Sequence, residues 1–493
     1  MNGAYANGNA NGYNGHVNGN MPQVGLQSEK ADPNGTNGHS YLPTHHNKKT
    51  RGIQAEGESG RRGVHPGKFF KINFRSGSTL SACTNVLWPF VPAAIVLHFV
   101  AGDHHAWTFA TAYVGMVPAA ALLGFAGQEF ARKLPTVAGV VIESLFGSIV
   151  EIILFMVLIA RTDPNAMPGE GNLEGVLQAA ILGSILANLL LCLGCVFIAG
   201  GIRHKSQKFS PVISEVGSGV MLVAGFALFI PSAFYSALRG ALTQGSEGEE
   251  GYTIEKLTHD TLGISHGVAI ILMIGFVVYL VYNTASHDNF LGEVLKADEE
   301  NDRDRHKDLR KEKLTMTECI IAIAISLTFV ALLAVFLVEE IEYLVHDRHV
   351  PDNFLGLILV PLVEKLAEHL TAIDEAWDNQ MNFAIFHCVS SSVQTALFNA
   401  PLVVIVGWGL GKGFDLNFEI FMAVLMLLSI IAVGQFLRDG ESNWLEGALL
   451  VMVYITIALC AWYYPNADIT SSNGVTSTVE SGAAHAARML LKP

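Results

Sequence analysis

An all-α polytopic membrane protein is the fold class this sequence predicts, and three observations predict it. Hydrophobic residues make up 51% of the 493 and charged residues only 15%, with a mean hydropathy of +0.38; soluble domains carry about 25% charge. About eleven apolar runs are each long enough to cross a bilayer as a helix. The chain also repeats itself: twice, an apolar helix that carries glutamates precedes a helix of small, hydroxyl and amide residues.

The runs fall at about 84–101, 107–127, 136–160, 174–199, 211–236, 262–283, 315–338, 353–375, 382–408, 415–436 and 443–464. Ahead of them, residues 1–67 are rich in Asn and Gly and close on Lys48, Lys49, Arg51, Arg61 and Arg62. So little apolar surface does not offset the entropy of ordering the chain, and a disordered tail is expected. The tail lacks the apolar core of a cleaved signal peptide. Arg and Lys recur at Arg132-Lys133, from Arg203 to Lys208, from Lys296 to Lys313 and at Arg438, always on the tail's side, while the opposite loops are mostly acidic. The positive-inside rule makes that side cytosolic, with the N-terminus in the cytosol and the C-terminus across the membrane.

An odd number of spans has a topological consequence. Setting apart a first span within 68–105 leaves a five-helix repeat at 106–284 and another at 315–465, joined by a charged linker at 285–314 and followed by a tail at 466–493. The second repeat enters the membrane from the other side, so the two are inverted, and such architectures hold their binding site at the midplane between the halves. The linker's opposite charges four residues apart suit a solvated helix.

Composition excludes several classes. The formal net charge of −14 resides in loops and tails, and the 30 basic residues are too few and too scattered to bind nucleic acid. Cys192-x-x-Cys195 has no second pair for zinc or redox chemistry and reads as packing, as do His98, His266 and His387. Glu368 and His369 are adjacent, and no His-Glu-x-x-His motif of an intramembrane metal hydrolase is present.

The chemistry lies in the two acidic helices. Residues 353–375 carry Glu364, Lys365, Glu368 and His369 within two turns, and 137–159 carry Glu143, Ser148 and Glu151. Burying such a charge in hydrocarbon costs roughly 2.5–3.5 kcal/mol on insertion scales, so a cluster of them marks a functional site. The helices that follow supply Gln178, Ser184 and Asn188 in one half and Ser391, Ser392 and Gln394 in the other. A hard divalent ion takes six to eight oxygens of these kinds. Carboxylates held close together carry either protons or a metal ion, which is the competition an antiporter needs.

The chain resembles the calcium/proton exchangers, the vacuolar cation/proton exchangers of the cation/calcium exchanger superfamily, over roughly residues 70–465. The matching stretches are LQAAILGSILANLLLCLGCVFIAGG (177–201), AEHLTA (367–372) and SSVQTALFNAP (391–401). The resemblance implies exchange of cytosolic Ca²⁺, or Mn²⁺, for luminal protons by alternating access in a vacuolar or other acidic-organelle membrane. It implies Glu151 and Glu368 as the cation ligands, with His369 following the second, and no cofactor. The partners are then the transported cations and protons and the membrane lipids.

The chain departs from the family pattern at the centre of the site. The family usually reads Gly-Asn-x-x-Glu in each repeat; here the repeats read Gly147-Ser148-Ile149-Val150-Glu151 and Glu364-Lys365-Leu366-Ala367-Glu368, and Glu143 stands where an asparagine is usual. Four carboxylates against one ammonium leave a formal excess of three negatives. Three readings of Lys365 follow. It pairs structurally with Glu143 or Glu364 and leaves a calcium site intact; or it acts as an internal cation whose displacement couples transport, shifting preference to a monovalent ion such as Na⁺ or K⁺ or changing the stoichiometry; or the site is degenerate and the protein a regulatory or sensing relative.

Overall fold

The computed structural model describes residues 57–75, 79–100, 104–134, 136–162, 173–244, 252–285, 294, 298 and 311–464. Most of the charged linker, the tail up to residue 56 and the C-terminal tail lie outside the described residues, and so do the expectations for them. The end of the N-terminal tail departs from the expected disorder. Arg61 reaches the buried carboxylate of Glu318 with two nitrogens, at 3.3 and 3.2 Å, and Lys133 donates to the Gly57 carbonyl at 2.7 Å. Buried partners on the bundle fix this basic stretch where its own composition would not.

Twelve helices organise the described chain: α1 (Pro66–Arg75), α2 (Leu80–Val100), α3 (His105–Ala131), α4 (Thr136–Arg161), α5 (Leu173–Arg203), α6 (Pro211–Gln244), α7 (Ile254–Ala285), α8 (Met316–His346), α9 (352–377), α10 (Met381–Gly409), α11 (Ile420–Phe436) and α12 (Trp444–Trp462). Each apolar run of the sequence lies on one of α2–α12. Eight of these are long and apolar enough to cross a membrane; α11 is shorter, and α4 and α9 carry the buried Glu151, Glu364 and Lys365. The run expected from 415 becomes helical only at Ile420, because Asp415 and Glu419 precede the helix. Local signals set the ends: Thr315 and Glu318 form a reciprocal capping box that starts α8, and the Asn443 side chain caps α12. A two-residue strand at Gln207–Lys208 pairs antiparallel with Glu441–Ser442, a contact the apolar pattern gives no sign of.

The packing maps onto itself when α3–α7 are exchanged with α8–α12. First helix packs on first helix (α3 with α8) and fourth on fourth (α6 with α11), while the third of each half packs on the fifth of the other (α5 with α12, α10 with α7). The two acidic helices, second in each half, meet the third helix of the other half: α9 lies on α5 and α4 on α10. Both α4 and α9 are thereby held inside a ring of partner helices, while α7 turns Ile271, Ile274, Val277 and Val278 outward.

Small residues allow the closest crossings. A Cβ on Gly183 of α5 would collide with the backbone of Leu357 in α9, and one on Gly356 with the backbone of Val176. Without side chains at these two points the helices approach to backbone contact. Three helices also widen to a π turn, at Ala187–Cys192, Leu355–Leu359 and Thr395–Asn399. Such turns release carbonyls from the ordinary ladder and concentrate at functional sites; the Tyr113 hydroxyl takes up one of them, Leu359 O, at 2.9 Å.

Candidate cation site

The pairing of α4 and α9 with the third helix of the opposite half brings Glu151 and Glu368 to one point. Glu151 is buried, 1% exposed. It accepts from the Thr395 hydroxyl of α10 at 2.8 and 3.1 Å and faces the Lys365 ammonium at 2.8 Å. The same ammonium lies 3.4 Å from Glu368 Oε2 and 3.1 Å from Ser391 Oγ, and Ser391 donates to Glu368 at 3.3 Å. Lys365 therefore bridges the two glutamates, one from each half.

Neutral groups surround this bridge and tie the halves together. Gln394 donates to Ser148 Oγ at 2.7 Å, and Asn188 donates to Ser391 Oγ at 3.1 Å. His369, also buried, meets Asn188 Oδ1 at 3.0 Å, which fixes the amide's orientation. The Gly147 position leaves room for Glu368, whose Oε1 would touch a Cβ placed there. Glu368 is the open member of the pair, its side chain 29% exposed. Toward the same end of α9, Glu375 pairs with His387 at 2.8 Å and Asp378 with Arg203 at 3.3 Å.

Glu364 has a different environment. It is buried, and neither carboxyl oxygen meets a hydrogen-bond donor in good geometry, with the Ser184 hydroxyl its polar neighbour. Among the described residues, no three His, Cys, Asp or Glu side chains are gathered to hold a metal ion. What the two glutamates gather around is an ammonium.

Several residues singled out by sequence lie apart from this centre. Gln178 is at the start of α5, against the backbone and carboxylate of Asp415 at 3.4 and 3.3 Å. Ser392 turns its hydroxyl to the Cys388 carbonyl of its own helix at 2.9 Å. Glu143 is exposed, so the partners of Lys365 are Glu151 and Glu368 instead of Glu143 or Glu364. Two participants were not singled out. Thr395, inside an apolar run, gives no sequence signal beyond its hydroxyl. Cys388 meets Cys192 at 3.3 Å between sulfurs, a contact across the halves that the Cys192-x-x-Cys195 spacing does not suggest.

Residues 104–285 and 319–463 match the family described as sodium/calcium exchanger protein. The chain belongs to that family. The two matched segments coincide with α3–α7 and α8–α12, so the family's shared part is the pair of five-helix halves that builds the site. Within it, the chain is 30% identical over 376 residues to a protein of Arabidopsis thaliana named vacuolar cation/proton exchanger 2, covering 76% of this chain and 79% of that one. It is 30% identical over 381 residues to a Ca²⁺/H⁺ antiporter of Aphanothece halophytica, covering 76% of this chain and 95% of that one. Among solved structures, native YfkE shares the fold with a TM-score of 0.60 at 24% identity, over 77% of this chain and all of that one. The exchanger is thus a multi-pass helical membrane protein, and both α4 and α9 lie inside the matched segments.

Proposed function

We propose that the protein exchanges cytosolic Ca²⁺, or Mn²⁺, for luminal protons by alternating access in a vacuolar or other acidic-organelle membrane. The observation that carries this reading is the convergence of Glu151 and Glu368, one from each half, on a single buried point lined by Ser391, Thr395 and the Asn188–His369 pair. Two carboxylates at that point take either a divalent cation or protons, which is the exclusion that couples the fluxes. The names of the relatives support the cargo and the compartment. The exposure of Glu368 supports an access path from the end of the bundle that carries Arg203 and Asp378, the side assigned to the cytosol by its basic loops.

The Lys365 ammonium favours a second reading, exchange of Na⁺ or K⁺ for protons, since one positive charge already sits between the carboxylates. Purified protein reconstituted in vesicles with an acidic interior separates the two. Proton efflux is recorded on external addition of Ca²⁺, Mn²⁺, Na⁺ or K⁺, for wild type beside Glu368→Gln and Glu151→Gln. Calcium-driven efflux that both substitutions abolish is the expected result. Efflux with Na⁺ or K⁺ alone transfers the assignment to monovalent exchange, and no efflux with any ion rejects exchange altogether.

A further inference from the structure

We propose that Lys365 is a tethered cation: it fills the exchange site of the ion-free protein, and a transported cation binds by displacing its ammonium toward Glu364. The proposal rests on the reading of Glu151 and Glu368 as the transport site.

The geometry supplies the first half of the argument. An ammonium has three protons to donate, and Lys365 Nζ has three oxygens around it: Glu151 Oε2 at 2.8 Å, Ser391 Oγ at 3.1 Å and Glu368 Oε2 at 3.4 Å. These are the oxygens an incoming cation requires. Lys365 is 1% exposed, so neither water nor salt screens the pair as it would at the surface. Because the competitor is attached to the helix, it cannot be diluted away, and its effective concentration at the site stays high whatever the medium.

Glu364 supplies the second half. A buried carboxyl group ordinarily has a hydrogen-bond partner, yet neither oxygen of this one meets a donor in good geometry; only the Ser184 hydroxyl lies beside it. It is the neighbour of Lys365 on α9 and close enough to act on the ammonium electrostatically. A displaced ammonium therefore has a vacant carboxylate to move to, without leaving the helix or reaching solvent. This assigns complementary work to the two residues of the Glu364-Lys365 dipeptide: Lys365 closes the site, and Glu364 holds it open.

The two residues thus push cation affinity in opposite directions, which a purely structural ion pair does not do. The test is Ca²⁺ binding to the purified full-length protein at constant pH, with thermal unfolding as the check on folding. Lys365→Asn is expected to bind Ca²⁺ at least tenfold more tightly than wild type, and Glu364→Gln at least tenfold more weakly. Lys365→Asn combined with Glu364→Gln should follow Lys365→Asn, because without the ammonium no acceptor is needed. The combined variant removes the ammonium and its acceptor together, so it decides the matter if Lys365→Asn alone does not fold.

Affinities within threefold of wild type in a folded Lys365→Asn or combined variant, with Glu368→Gln still abolishing binding, overturn the tethered cation and leave cation exchange standing. Weaker binding on loss of Lys365 overturns it too, by making the lysine an aid to the site. Folded wild type and variants that bind neither Ca²⁺ nor Na⁺ nor K⁺ remove the exchange reading and this inference together.

Discussion

Thr395 donates its hydroxyl toward both oxygens of Glu151, at 2.8 and 3.1 Å, from a helix of the opposite half. The donor sits in the π turn of α10, and the acceptor is the more buried of the two bridging glutamates. The contact ties the carboxylate of one half to the position of the other half. A hydrogen bond to a charged group contributes about 1.5–3 kcal/mol. Replacing Thr395 by Val keeps the shape and removes the donor, so cation affinity should fall by about tenfold or more, while Thr395→Ser stays near wild type. Equal affinities for Val and Ser variants would show that the hydroxyl only serves the Ser391 carbonyl of its own helix, 3.1 Å away.

The Asn188–His369 contact joins α5 to α9 in a site from which both side chains are shielded. Removing one partner leaves a buried polar group unsatisfied, at a cost of about 1–3 kcal/mol, whereas replacing both by apolar groups of similar shape is nearly neutral. Asn188→Leu should therefore lower the thermal unfolding midpoint in detergent, and adding His369→Phe should recover most of the loss. A double variant as unstable as the sum of the two singles would mean that the residues do not depend on each other.

Much of this arrangement is legible in the sequence, for identifiable reasons. Apolar runs fix where α2–α12 lie because the bilayer demands length and apolarity together. The two acidic helices stand out because carboxylates in apolar runs are costly to bury, and the resemblance picks Glu151 and Glu368 from the four they carry. The partners are less legible, since they depend on how helices from different halves cross. Gln178 and Ser184 share a helix, but at 1.5 Å per residue they stand about 9 Å apart along it, enough to leave Gln178 with Asp415 at the helix start. Thr395 shows the converse: it looks like a tolerated hydroxyl in an apolar run until α4 is placed beside it. The basic stretch before α1 reads as tail because its counter-charge, Glu318, is more than 250 residues away.

Backbone contact between α5 and α9 makes two glycines intolerant of any side chain. At Gly183 and Gly356 an added methyl meets backbone atoms of Leu357 and Val176, which have no rotamer to escape into. Overpacking of this kind costs about 1–3 kcal/mol, and here it also parts the helix that carries Glu368 from the one that carries Asn188. Gly183→Ala and Gly356→Ala should each lower both yield and unfolding temperature. At Gly263, where a methyl meets nothing within 4 Å, alanine should be harmless. Equal behaviour at all three positions would refute the close crossing.

The clamp between Arg61 and Glu318 makes the stretch before α1 part of the folded bundle. Glu318 is fully buried and spends its oxygens on Arg61, on the His65 and Thr315 amides and on the start of α8. Removing only the cation leaves a buried carboxylate without its compensating charge, a loss of up to about 3–5 kcal/mol where no water reaches it. Close by, Lys68 holds the Glu312 carboxyl below its ordinary range. With the folded value lowered, that tie contributes above the ordinary range of a glutamate and is lost as pH falls through the lowered value. Arg61→Ala in the full chain should therefore lower the unfolding temperature by several degrees. Glu312→Gln should have a smaller effect, which vanishes below the lowered titration range of Glu312, because the exposed pair is worth under about 1 kcal/mol. An Arg61→Ala protein as stable as wild type would return residues 57–65 to the tail.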